Sequence, residues 1–427
     1  MVLLVAVVLL FVVAAIAALA IDVVTLYTAR SEAQLAADGA ALAGARVLAN
    51  SGMTSDPNAV SDGLADNAEQ LAVTVATQVA QSNQVGGKSL KDGGIINVSF
   101  PISNPLTFGT NPRVQVQVTR TDLPAFFARI WGRNQVTVTA TATAEAYNPS
   151  GVGATIMGPR PPVAVTCVKP WVLPNISPTD GVSKIFNEVT GAIQDPTLLG
   201  WEDSNNTPPY KFLSRCTGTG WPFTPTCNLP NPPGWAGQTP TAWQYYPGAQ
   251  SSFPAPTQAL PSCGFTLTPY QASIAGCVQT PIACNSTVDL DQSDYQLRNT
   301  QTVNAVNCLT HALNNQADKV DPGAIPSPPF QFLAGNDNPI VSARGKDVFV
   351  SDSLVTVPVY DSNTSAPPSS VTIIGFVQLF LNPDGNAAIP LTTRTTVVNL
   401  VGCGTDASGP PVLGNGASVV AVRLVSQ

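Results

Sequence analysis

The sequence predicts an α+β chain: a long N-terminal membrane-spanning helix, a small α+β domain, then a disulfide-rich irregular region and an antiparallel β domain. Three observations carry this reading. Residues 2–21 hold no charge, Pro or Gly, and about 20 residues of helix span roughly the 30 Å of a bilayer core. Residues 113–120 (RVQVQVTR) and 135–147 (QVTVTATATAEAY) alternate apolar and polar side chains, the mark of half-buried strands. All eight cysteines follow the apolar run, in a stretch otherwise rich in Pro, Thr, Asn and Trp.

Residues 1–50 read as one continuous helix. Asp22 ends the apolar run, but the chain to 48 still lacks Pro and is dominated by Ala, the strongest helix former. The helix half that follows the span carries small residues four apart at Ala29, Ala33, Ala37, Ala41 and Ala45, with Ala36, Ala40 and Gly44 beside them. Such rows let helices approach closely, either in a bundle or against the chain's own domain. Val24, Thr28, Leu35, Leu42 and Leu48 form a second stripe, read as core. Asp22 either faces water or pairs with an amine or basic group of a neighbouring subunit, since an acid in hydrocarbon needs a partner.

Residues 51–147 predict the α+β domain. Its elements are a turn over 51–58 with Ser55 or Asp56 as N-cap, a helix over 59–83, strands over 95–100 and 113–120, a short helix over 123–131 burying Phe126, Phe127 and Ile130, and a strand over 135–147. Residues 148–162 are a Gly- and Pro-rich linker. Residues 163–336 form a Cys-, Pro- and Trp-rich extracellular region with helices expected over 186–193 and 302–314. Residues 337–427 supply β-rich runs at 346–350, 354–360, 371–381, 394–401 and 417–424.

Composition bounds the function. Charged residues are 11% of the chain, the net charge is −7 and no basic block occurs, which excludes a nucleic-acid footprint. Cys167, Cys216, Cys227, Cys263, Cys277, Cys284, Cys308 and Cys403 contain no CxxC pair, so zinc has no support and disulfides in an oxidising compartment are expected. Cys403 is positioned to tie the C-terminal sheet to the cysteine-rich region. The helix then places its N-terminus in the cytoplasm and everything after Asp22 outside. Its pattern runs unbroken through 15–20 (AIAALA), which argues against cleavage there, and the missing basic flank points to a start upstream or a removed leader. The only histidine, His311, lies three residues after Cys308, but a disulfide removes that thiol from catalysis. Asp289, Asp291, Asp294, Asp318 and Asp321 could attract Ca²⁺ but lack EF-hand spacing. No catalytic constellation, cofactor or metal site is expected.

The segment AIDVVTLYTARSEAQLAADGAALAGARVL (20–48) resembles the N-terminal signature of TadE/TadG-like proteins of the Flp (tight adherence) pilus-assembly system. Residues 113–146, 167–171, 270–277, 355–361 and 371–381 are similar to later parts of longer TadG-like members. The resemblance implies a non-enzymatic, single-pass or pilin-like protein, acting as minor pilin, assembly factor or surface subunit. Its implied partners are the inner membrane or other pilin-like helices, the Flp/Tad machinery and further copies of itself. Asp22, Tyr27, Ala33, Ala37, Ala41 and Gly44 are the helix-packing residues it singles out. The metal-binding Asp-x-Ser-x-Ser loop of some members is not found; 351–355 comes nearest and lacks the second Ser. A surface adhesin on the same anchor, touching its target through residues 197–261, is the alternative.

Overall fold

A computed structural model describes residues 2–55, 63–101, 111–125, 135–148, 164–178, 183–200, 212–215, 242–257, 260, 262–276, 278–291, 295–311, 317–320, 330, 332–336, 338, 341, 344–345, 351–361, 369–381, 392–403 and 419–426. The architecture is α+β. Helix α1 (Val2–Asn50) is unbroken over 49 residues. Helix α2 (Leu64–Gln81) packs beside it and buries Leu64, Ala68, Ala72, Val75 and Ala76. Both lie on strands β1 (Ile95–Ser99), β2 (Arg113–Pro124) and β3 (Gln135–Tyr147), paired antiparallel in that order. Alternation sets the faces: Val114, Val116 and Val118 of β2 and Ala140, Ala142, Ala144 and Ala146 of β3 are buried.

The second layer is a strand ring. It comprises β4 (Trp171–Pro174), β5 (Phe212–Arg215) and β6 (Ala242–Pro247), followed after helix α3 (Pro269–Ala275) by β7 (Thr287–Asp289). After helix α4 (Tyr295–Leu309) come β8 (Leu354–Tyr360), β9 (Ser370–Leu381) and β10 (Thr392–Gly402). The order is β7-β9-β8-β4-β6-β5-β10, and β10 pairs back onto β9, so all but β7 close into a barrel. The β4·β8 and β5·β6 pairings are parallel. Strand β8 is buried along its whole length and β9 nearly so, which fits their continuous apolar runs. The disulfide Cys284–Cys403 fastens the segment leading into β7 to the end of β10, as expected for Cys403, and Cys263–Cys308 joins the approach to α3 to α4. Cys167 is also disulfide-bonded.

Strand β11 (Ala421–Ser426) leaves the barrel and pairs antiparallel with β3, completing a four-stranded sheet under α1. Pairing therefore crosses the expected boundaries: the barrel draws β4, β5 and β6 from 163–336 and β8, β9 and β10 from 337–427, while β11 belongs with the N-terminal domain. Local pattern could not show this, because partner choice in a sheet is non-local.

Other expectations change. The helix expected at 186–193 is a hairpin-like turn with Phe186 bridged to Ile193. The Asn187 side-chain oxygen accepts the Val189 and Thr190 N–H groups, and Gly191 takes a positive φ of 71°, so the chain reverses instead of winding. The helix expected from 123 begins as strand, because Leu123 and Pro124 pair with Val136 and Gln135; Phe126, Phe127 and Ile130 lie outside the described residues. Ser55 does not cap α2. It is buried against β10, and the start of α2 is Gly63. Asp56, the strand expected at 346–350 and Cys216, Cys227 and Cys277 lie outside the described residues.

Candidate functional site

The candidate site is α1 itself. Its first half projects from the fold: Leu9, Leu10, Phe11, Val13, Ile16, Leu19 and Ile21 are exposed, and the helix is long and apolar enough to cross a membrane. The small-residue row has a different fate. Ala33, Ala37 and Ala41 are fully buried, and Gly44 sits where an added Cβ would lie 3.0 Å from Val114 Cγ1 and 3.4 Å from Ala76 Cβ. This row is the face that α1 presents to its own sheet and to α2, so within one chain it is already occupied. Of the two uses open to such a row, the structure realises packing on its own domain. Only Ala and Gly let an Ala-faced strand approach this closely.

The larger-residue stripe is reversed as well. Val24 is 64% exposed and Leu35 69%, whereas Leu42 is partly buried and Leu48 fully so. The expectation that this stripe is core holds only at its lower end. Tyr27, at 76% exposure, projects from the same outward side. Asp22 does not face water: it is 5% exposed, aligned with buried Ala18 and Ala29, and it is not without a partner. The outward face thus stays apolar past Asp22, and the first exposed charge is Arg30.

At its C-terminal end α1 is seated on the barrel by a buried polar network that sequence reading missed. Asn399 Nδ2 of β10 donates to Ala49 O and to Gln378 Oε1, each at 2.6 Å. Ser55 Oγ donates to Leu400 O at 3.1 Å and accepts Leu400 N–H at 3.0 Å. Asn148, expected in the linker, is buried and donates to Leu400 O at 2.9 Å and Thr54 O at 3.1 Å. Of these, the Asn399 bond satisfies a carbonyl in the last turn of α1 that the helix itself leaves without a partner. Polar residues inside β-rich runs were the available signal. A second clasp lies beside it: Glu145, almost fully buried on β3, accepts from Arg113 at 3.2 Å and from Arg423 of β11 at 2.5 Å.

Cys308 is spent in its disulfide, and His311 Nε2 lies 3.4 Å from Asp352 Oδ2 at the surface. Asp289 accepts from Ser251 at 2.9 Å, while Asp318 accepts from Gly335 N–H at 2.8 Å and Ser351 Oγ at 2.6 Å. Among the described residues no cluster of three or more His, Cys, Asp or Glu side chains could hold a metal; Asp294 and Asp321 lie outside them. Lys169, not singled out from sequence, is buried, and Nζ donates to Ile274 O and Gly276 O at the end of α3. Burial pulls its ammonium down to about 7, against the opposing pull of Asp352. Most of the surface expected for adhesion, 201–211 and 216–241, lies outside the described residues.

The protein family described as Flp pilus-assembly TadE/G-like matches residues 1–47. No curated protein and no solved structure matches the chain. The match lies within α1, so it covers the apolar run, Asp22 and the small-residue row, and stops short of the polar seat.

Proposed function

We propose that this chain is a non-enzymatic structural or assembly component of a Flp-type pilus. Its apolar helix half is held in the inner membrane or among pilin-like helices, and its disulfide-bonded bulk lies outside the cytoplasm. The observation that carries this is the division of α1: an apolar half left bare by the fold, continuous with a half that is the spine of the folded domain. An apolar helix half of this length, left bare by its own fold, needs lipid or other helices to cover it, as an anchored or bundled subunit provides. Disulfides favour the oxidising side for the barrel. Within the fold the small row serves the domain, so Tyr27 and the outward apolar face are what remains for neighbours.

Shearing and fractionating cells that express the full chain tests this. Recovery in sheared fibres supports a subunit, and recovery only in carbonate-resistant membranes supports an assembly factor. Recovery as soluble protein with an intact N-terminus would refute both.

A further inference from the structure

Beside the emerging helix the fold leaves a cleft of about 290 Å³. Val24, Thr28 and Glu32 of α1 line one wall, and Gly86, Leu123 and Pro124 the other. The second wall is built in place. Gln84–Val85 and Lys88–Ser89 pair as a hairpin whose turn, Gly86-Gly87, has φ of 60° and 75°, and a Cβ at Gly86 would collide with Leu123. Arg120, buried, holds the hairpin through Ser89 O at 2.5 Å and Asp92 O at 2.9 Å. The cleft is therefore preformed.

Its level follows from the helix. Because Asp22 is turned inward, the outward face is apolar until Tyr27 and Arg30, an aromatic and a cation of the kind found at a membrane interface. Val24 and Thr28 bracket that level. Glu32 lies five residues past Tyr27, roughly 8 Å along the axis, and helical side chains lean back toward the N-terminus. That is headgroup depth, since headgroups add roughly 5–8 Å to each side of the hydrocarbon core.

Among the described residues lining the cleft, Glu32 carries the only charge. One Glu32 oxygen accepts Gly86 N–H at 2.7 Å, and a carboxylate has further acceptor sites. Lys88 is committed to Asp122 at 2.8 Å, as is Arg120, and Arg30 is two residues from Glu32 on another face of the helix.

We propose that this cleft binds the headgroup end of a zwitterionic phospholipid with a free ammonium, its apolar walls taking the glycerol and upper acyl chain and Glu32 taking the ammonium. The proposal rests on α1 spanning a membrane. Native mass spectrometry of the detergent-solubilised full chain, mixed with phosphatidylethanolamine or phosphatidylglycerol, tests it. A charge-assisted hydrogen bond predicts retention of the ethanolamine lipid about tenfold over the glycerol lipid. Glu32→Gln, which keeps an acceptor for Gly86 N–H, should erase that preference. Equal retention of the two lipids by the wild type, or an unchanged preference in Glu32→Gln, overturns the assignment. So does a Thr28→Cys cross-link that traps a second copy in place of lipid. Release of the chain by alkaline carbonate would instead overturn the membrane reading beneath it; a chain that resists extraction yet shows no preference refutes the cleft alone.

Discussion

Gly44 packs closely against β2 and α2, and a graded series there measures how closely the spine is packed. Gly44→Ala places a methyl 3.0 Å from Val114 Cγ1 and 3.4 Å from Ala76 Cβ. The strain is opposed by helix propensity, which favours Ala over Gly by about 1 kcal/mol, so the change is expected to be near neutral. Gly44→Val adds two further methyl groups to the same gap. Overpacking costs about 1–3 kcal/mol, and Val recovers only about 0.4 kcal/mol of propensity over Gly, so a net loss of about 2 kcal/mol is expected. Leu35→Ala is the control: its side chain is largely exposed, and the stability change should stay within about 0.5 kcal/mol. Hydrogen exchange of α2 and β2 amides in the detergent-solubilised full chain is the assay. Two kcal/mol corresponds to roughly thirtyfold faster opening in Gly44→Val. If Gly44→Val were as protected as Gly44→Ala, the contact between α1 and β2 would be looser than the structure shows and the reasoning would fail.

Asn399→Ala should cost about 2–4 kcal/mol, because it strands the buried Ala49 carbonyl and the Gln378 side-chain oxygen; thermal melting that matches wild type would show the seat to be dispensable. Lys169 makes stability depend on pH. Its ammonium titrates near 7 in the fold and near 10.4 unfolded, so between those values the unfolded chain binds more protons and stability rises with pH, by a few kcal/mol in all. Above that window the gain is complete, and Tyr360, whose hydroxyl burial pushes well above 10, begins to act in the opposite direction. Denaturation midpoints measured from pH 7 to 10 should climb in the wild type and flatten in Lys169→Met; parallel slopes would refute the assignment.

The strands and their faces were legible in the sequence because period-two alternation is a local signal: 135–147 is a strand over its whole predicted length, and Leu354–Tyr360 likewise. The anchor was legible because hydropathy is additive along a helix. What could not be read was which face of α1 is inside. Size alone favoured Leu35 and Val24 as core, but β3, on which much of the helix rests, is itself faced with Ala, so close approach displaces the large side chains outward. The seat was hidden for a related reason. Asn50 reads as the end of a helix, Asn148 as linker, and Gln378 and Asn399 as polar residues within strands; only the pairing of β9 with β10 sets the last two side by side at the end of α1.

The two attachments explain how a helix of roughly 73 Å can serve as both anchor and spine. A helix held at one end by a loop can swing. Here the Ala49 carbonyl is bonded to β10, and the strand that follows the barrel, β11, returns to the sheet beneath the same helix and is pinned through Glu145. The barrel is therefore bonded to the end of α1 and tied through β11 to α1's own sheet, and rotating it about the helix end would have to break a buried amide network and a strand pairing together. Buried polar groups are costly to leave unpaired, so such a joint has one favoured geometry.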